Sequence, residues 1–140
     1  MKNLRPFLFA LTAVFMATAA HAQQTNVRAT VPFDFVVGNR AYPAGEYSVK
    51  PIGDGEKILR IDNTQSGKAE MVRSNTCEQL TPSDKTKLVF HRVGDSYFLY
   101  QIWTEGNSTG REFPMSRTEL QISQNREKPE LVIVAANISR

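Results

Sequence analysis

A chain of 140 residues with 41% hydrophobic side chains suits one domain with one core. Its formal charge of +3 owes much to the N-terminus. Without Lys2 and Arg5, 15 basic side chains face 14 acidic ones, and no run of Lys or Arg remains to grip a nucleic acid. Cys77 is the only cysteine, which excludes an intramolecular disulfide framework.

Taken in chain order, the first element is a three-part leader. Lys2 and Arg5 precede the apolar stretch "PFLFALTAVFMATAA", and Ala20-His21-Ala22 supplies the small residues of a cleavage site. The expectation is a secretory signal peptide over 1–22 and a single β domain over 23–140, secreted or periplasmic. No cysteine follows the apolar run to carry a lipid, and no later segment is apolar for long enough to span a bilayer.

Gly, Asn and Asp clusters then punctuate the chain about every ten residues, the spacing of a β meander. "VRATVPFDFVV" (27–37) alternates, with Val27, Ala29, Val31, Phe33, Phe35 and Val37 on one face. Pro32 has no N–H, so it predicts an edge or a bulge there. "GNRAYPAG" reads as a loop. Strands follow over 46–52, 57–62 and 68–74, with a longer loop over 75–84 that holds Cys77. A lone cysteine there is expected to act as a small, partly buried apolar residue.

"KLVFHRVGDSYFLYQIW" (87–103) predicts a hairpin turning at Gly94-Asp95. The register pairs Arg92 with Tyr97, His91 with Phe98, Phe90 with Leu99 and Val89 with Tyr100. It places Leu88, Phe90, Leu99 and Trp103 on a core face, with Arg92 over the Tyr97 ring. Val89, His91, Phe98, Tyr100 and Ile102 fall on the other face. Burying a large aromatic side chain is worth about 2–3 kcal/mol, so a second apolar face predicts a cover: a helix, a loop, a ligand or a partner.

After a loop over 104–113, Ser116 with Glu119 resembles a capping box and predicts a short helix over 115–126. "PELVIVAANI" predicts a last strand, and its unbroken apolar run predicts burial on both faces.

The chemistry-bearing residues are few. His91 is the only histidine after the leader, no G-x-S-x-G elbow is present, and one His with one Cys falls short of a transition-metal ligand set. His91 is therefore expected to pack across from Phe98 rather than to catalyse. Asp54 and Glu56 flank Gly55 without a full calcium loop. Asn107-Ser108-Thr109 and Asn137-Ile138-Ser139 match the glycosylation acceptor pattern. Neither "GDG" nor "NSTG" has the context of a phosphate loop. Tyr42, Tyr100, Trp103, His91 and Phe98 are the candidate ligand contacts, through stacking or an apolar lining.

"VPFDFVVGNRAYPAGEYSV", "KLVFHRVGDSYFLYQIW" and "GREFPMSRTE" together resemble a group of small secreted all-β proteins of soil bacteria. The blocks span most of 31–122. The resemblance implies a signal peptide and one short β domain, with no assigned activity.

The expected fold is all-β: a small antiparallel meander forming a barrel or sandwich of about seven to eight strands, with one short C-terminal helix. The expected function is non-catalytic binding of a small apolar or stacking ligand, without a cofactor or metal. The alternative is an envelope or extracellular structural or interaction protein acting through protein–protein contacts. A hydrolase using His91 is the third reading.

Overall fold

The computed structural model describes residues 25–55, 57–125 and 128–139. The expected leader lies outside the described residues. Alternating apolar and polar side chains dominate the described chain, and they make strands. β1 (Asn26–Val31) buries Val27, Ala29 and Val31 while Arg28 and Thr30 face outward, the period of a strand with one wet face. Pro32 ends it, having no N–H for the ladder. The chain resumes as β2 (Phe35–Val37) beside a different neighbour. The single strand expected over 27–37 is therefore two.

β3 (Arg40–Tyr42), β4 (Gly45–Ile52), β5 (Ile58–Asn63), β6 (Ala69–Arg73) and β7 (Asn75–Glu78) come next. The hairpin strands are β8 (Lys87–Val93) and β9 (Ser96–Trp103), followed by β10 (Thr109–Glu112), α1 (Arg117–Asn125) and β11 (Glu130–Ser139). The described residues thus hold eleven strands rather than seven or eight. Besides β2, the additional ones are β3, β7 and β10, three or four residues each, in segments read as loops.

The strands form one sheet in the order β3-β2-β9-β8-β11-β1-β4-β5-β6, with β10 bridging β9 and β7. The pairs are antiparallel except β2 with β9, which run parallel at Val36↔Phe98. The sheet curls into a half-barrel. Its two terminal strands, β3 and β6, meet through side chains. The Tyr42 hydroxyl donates to Glu70 Oε2 at 2.7 Å, and Arg40 lies 3.0 Å from Glu70 Oε1. This junction is the seam of the half-barrel.

The hairpin keeps its expected register only near the turn. Gly94 takes φ +61°, the left-handed value that its turn position needs. His91↔Phe98 and Phe90↔Leu99 pair as expected, and the Arg92 guanidinium lies 5.7 Å from the Tyr97 ring centre. A bulge then intervenes, and Val89 pairs with Gln101 instead of Tyr100. One extra residue on β9 flips every later side chain. Ile102 turns into the core opposite Leu88, and Trp103 turns to the other face opposite Lys87. The expected core position of Trp103 and the expected outer position of Ile102 are exchanged.

The second face of the hairpin is covered by the chain itself: Val89, Phe98 and Trp103 are all buried. The expected helix forms, and it lies against β8. The Ser116 hydroxyl accepts the Glu119 N–H at 3.0 Å, which is half of the anticipated capping box. The Glu119 carboxylate does something else: its Oε1 lies 2.6 Å from His91 Nδ1.

β11 departs from expectation. Val132, Val134 and Ala136 pack on the core, while Leu131 and Ile133 remain 59% and 53% exposed. Its apolar run is buried on one face only.

Candidate ligand-binding site

The interior of the half-barrel has two unlike ends. At one end the side chains are aromatic. Phe35 lies 5.3 Å from Tyr42, 5.1 Å from Tyr47 and 5.4 Å from Phe90, ring centre to ring centre. Phe33 stacks on Tyr97 at 3.8 Å and meets Phe90 edge-on at 5.0 Å. These are favourable stacked and edge-to-face geometries, and they fill that end.

At the other end the inward positions carry smaller aliphatic groups. Val27 of β1 pairs with Val49 of β4, and Val49 with Ile61 of β5. Leu59 and Ile102 complete the surround, leaving a cavity of about 250 Å³ open to solvent. The rim is polar: Thr25, Thr104, Asn107, Thr109 and Arg111 line it. The Arg111 guanidinium is held by the Ser74 hydroxyl at 2.9 Å and the Thr76 hydroxyl at 3.0 Å.

The rim loop between β9 and β10 is fastened from behind. The Gly106 N–H donates to Ser83 C=O and the Ser83 N–H to Asn107 C=O, both at 2.9 Å. The Glu105 N–H donates to the Thr86 hydroxyl at 3.1 Å. At Gly110, just inside β10, the chain must pass very close to the hairpin. A Cβ there would stand 2.7 Å from Trp103 Cε3 and 2.8 Å from Ile102 O, so only glycine fits. The bulge that turns Trp103 outward also delivers Ile102 to the cavity.

None of the five residues expected from sequence to contact a ligand lines this cavity. Tyr42 is buried at the seam. Burial and its bond to Glu70 push its phenol well above the usual range, while the same bond, with Arg40, holds the Glu70 carboxyl low. Trp103 is buried against Gly110, its indole N–H donating to Gln101 Oε1 at 3.0 Å. The other three meet on the outer face of the hairpin. His91 faces Phe98 across the strands and stacks on Tyr100 at 3.9 Å. Burial and the nearby Glu112 carboxylate raise the Tyr100 phenol, and the same two causes, in the same order, raise the Cys77 thiol.

His91 thus has the orienting carboxylate that a catalytic histidine needs, in Glu119. Both side chains are buried, at 11% and 5% exposure, with α1 against the strand. The pair ties α1 down from beneath. Among the described residues no group of three or more His, Cys, Asp or Glu stands together as a metal site, and no helix is long and apolar enough to cross a membrane.

The cavity residues Val27, Val49, Leu59 and Ile102 gave no functional signal in sequence, because aliphatic side chains at period two mark a core. The expected loop over 104–113 was the available pointer to the rim. No family model, no curated protein and no solved structure matches this chain.

Proposed function

We propose that this is a non-catalytic binding protein that works in the periplasm or outside the cell and takes a small apolar ligand into the open end of the half-barrel. The observation that carries the reading is the contrast of linings: an aliphatic floor under a rim of hydroxyl, amide and guanidinium groups. Such a pattern holds an apolar body and orients one polar end. The leader-like N-terminus supports the compartment. An apolar ligand fits better than a stacking one, because the aromatic side chains of the sheet interior pack on one another.

Native mass spectrometry of protein purified from its own host tests this. The expected result is an adduct that organic extraction removes and that a fatty alcohol or a terpene restores. A clean apo mass, with no binding across a lipid and glycan panel, overturns the reading.

The interaction-protein alternative loses its first motive, since Phe98 and Ile102 are covered within the chain. It keeps a second in the exposed Leu131 and Ile133. A strictly monomeric mass by light scattering at millimolar protein would count against self-association there.

A further inference from the structure

The seam lies apart from the cavity and offers a different kind of contact. β6 directs its backbone groups alternately to β5 and away from it. The Asn63 N–H donates to Lys68 C=O and the Ser74 N–H to Lys57 C=O, each at 2.8 Å. Between these anchors the register runs unbroken through Ile61↔Glu70 and Leu59↔Val72. In an antiparallel ladder every second residue bonds a given neighbour. Positions 68, 70, 72 and 74 therefore bond β5, and Ala69, Met71 and Arg73 turn their N–H and C=O groups toward the seam. Among the described residues no strand pairs with that edge, and the sheet path ends there.

Natural edge strands are usually blunted by a proline, a bulge or an inward charge against unwanted pairing. β6 has neither proline nor bulge over its five residues, and its one inward charge, Glu70, is taken up by Arg40 and Tyr42. Beside it, a cleft of about 350 Å³ lies between the β2–β3 turn, β6 and the segment entering α1. Val37 and Val72 line it, and Met71 and Met115 stand 68% and 41% exposed at it. Methionine side chains adapt readily to varied apolar partners. Arg40, Arg73 and Arg117 also line the cleft, and among the described residues no carboxylate does. Glu70, just outside it, is engaged by Arg40 and Tyr42.

We propose that the free edge of β6 docks an extended acidic segment of another protein by strand addition. The segment's main chain pairs with Ala69, Met71 and Arg73. Its carboxylates meet Arg73 and Arg117 on the outer face that Met71 shares, and its alternate apolar side chains face inward beside Val37 and Val72. This site is separate from the ligand cavity, and its occupation does not depend on a ligand there.

The test uses two N-acetylated hexapeptides, one alternating glutamate and valine, the other lysine and valine. The glutamate peptide is expected to bind at least about tenfold more tightly than the lysine peptide. Bound peptide slows amide hydrogen exchange at Ala69, Met71 and Arg73, while the already paired Glu70 and Val72 change less. Met71→Pro removes a seam-facing N–H without touching the β5 ladder and is expected to weaken binding about tenfold. Should that variant fail to fold, the double change Arg73→Gln with Arg117→Gln still decides, with an expected weakening of roughly three- to tenfold. No binding of the glutamate peptide up to millimolar concentration overturns the proposal. So does equal binding of both peptides, or a response to phosphatidylglycerol vesicles alone.

Discussion

The two ends of the half-barrel are built from the same strands and behave as opposites. β4 contributes Tyr47 to one end and Val49, two residues on, to the other. β8 contributes Phe90 and then Leu88, and β9 contributes Leu99 and then Ile102 across the bulge. Apart from that bulge the backbone pattern is continuous, so the difference is one of side-chain volume. Aromatic rings reach across the interior and meet at 5.0–5.4 Å. Aliphatic groups at the open end leave about 250 Å³ unfilled. In this fold a site is made by what the core residues do not occupy.

The largest expected effect breaks the closed end. Phe35→Ala removes the ring shared by Tyr42, Tyr47 and Phe90 and leaves a cavity where none existed. The expected loss is about 3–5 kcal/mol, read by urea denaturation. A loss below about 1.5 kcal/mol would show that this end is not close-packed and that the contrast is false.

Next comes the cover on the outer side of the same strands. Only Glu119 is buried in α1, and its carboxylate on His91 is the helix's buried polar tie. Glu119→Ala leaves a buried imidazole nitrogen without that partner, at an expected cost of about 1–3 kcal/mol. Hydrogen exchange should quicken through α1 first. Glu119→Gln retains an acceptor for the imidazole N–H and should lose less. Equal losses for the two would point to packing rather than to the hydrogen bond.

A smaller effect is expected where the closed end reaches the seam. Tyr42→Phe deletes the hydroxyl that binds Glu70, at about 1 kcal/mol near neutral pH. The sign with pH comes from the direction of the shift. Glu70 has a lowered folded-state value, so its contribution is present above the unfolded carboxylate value of about 4.3 and is lost as pH falls through the folded one. The stability gap between wild type and Tyr42→Phe should therefore narrow in acid. Because Glu70 is about a third exposed, solvent screening keeps the whole effect small. A gap that widens below about pH 4 would contradict the assignment.

What the amino-acid pattern revealed, and what it hid, divides along the same line of volume and local context. The period-two stretches and the Gly94-Asp95 turn were legible because backbone alternation and a positive φ leave residue signatures. So was the helix start, where Ser116 and Glu119 have capping spacing. The bulge at Tyr100 was not legible. Nothing in "FLYQIW" marks an extra residue, and what accommodates it is tertiary: Trp103 against Gly110, a residue from another strand. Missing it exchanged Ile102 and Trp103 and so moved one wall of the cavity to the wrong face. β3, β7 and β10 were too short to show a period. For β11, the unbroken apolar run implied two buried faces, but Leu131 and Ile133 stand 59% and 53% exposed, and a run of this kind does not record which face finds a neighbour. The cavity was the least legible feature. It is a shortage of volume shared by aliphatic side chains on four strands, from Val27 to Ile102, and hydrophobic patterning records which face a residue takes rather than how far it reaches.

The smallest expected effect on stability is the sharpest test of the contrast. Val49→Phe adds a ring at the open end, where the space already exists. Overpacking a filled core costs about 1–3 kcal/mol because neighbours must leave their rotamers. Here the ring meets a cavity, so the change should stay within about 1 kcal/mol of wild type. The equivalent enlargement at the closed end, Val31→Phe, enters a site with only 1% exposure and should carry the full overpacking cost. Val49→Phe should also abolish the extractable adduct, because it occupies the same volume. If Val49→Phe destabilises as much as Val31→Phe, the two ends are equally packed. If it folds normally and still carries the adduct, the ligand sits elsewhere and the open end is only a gap in the core.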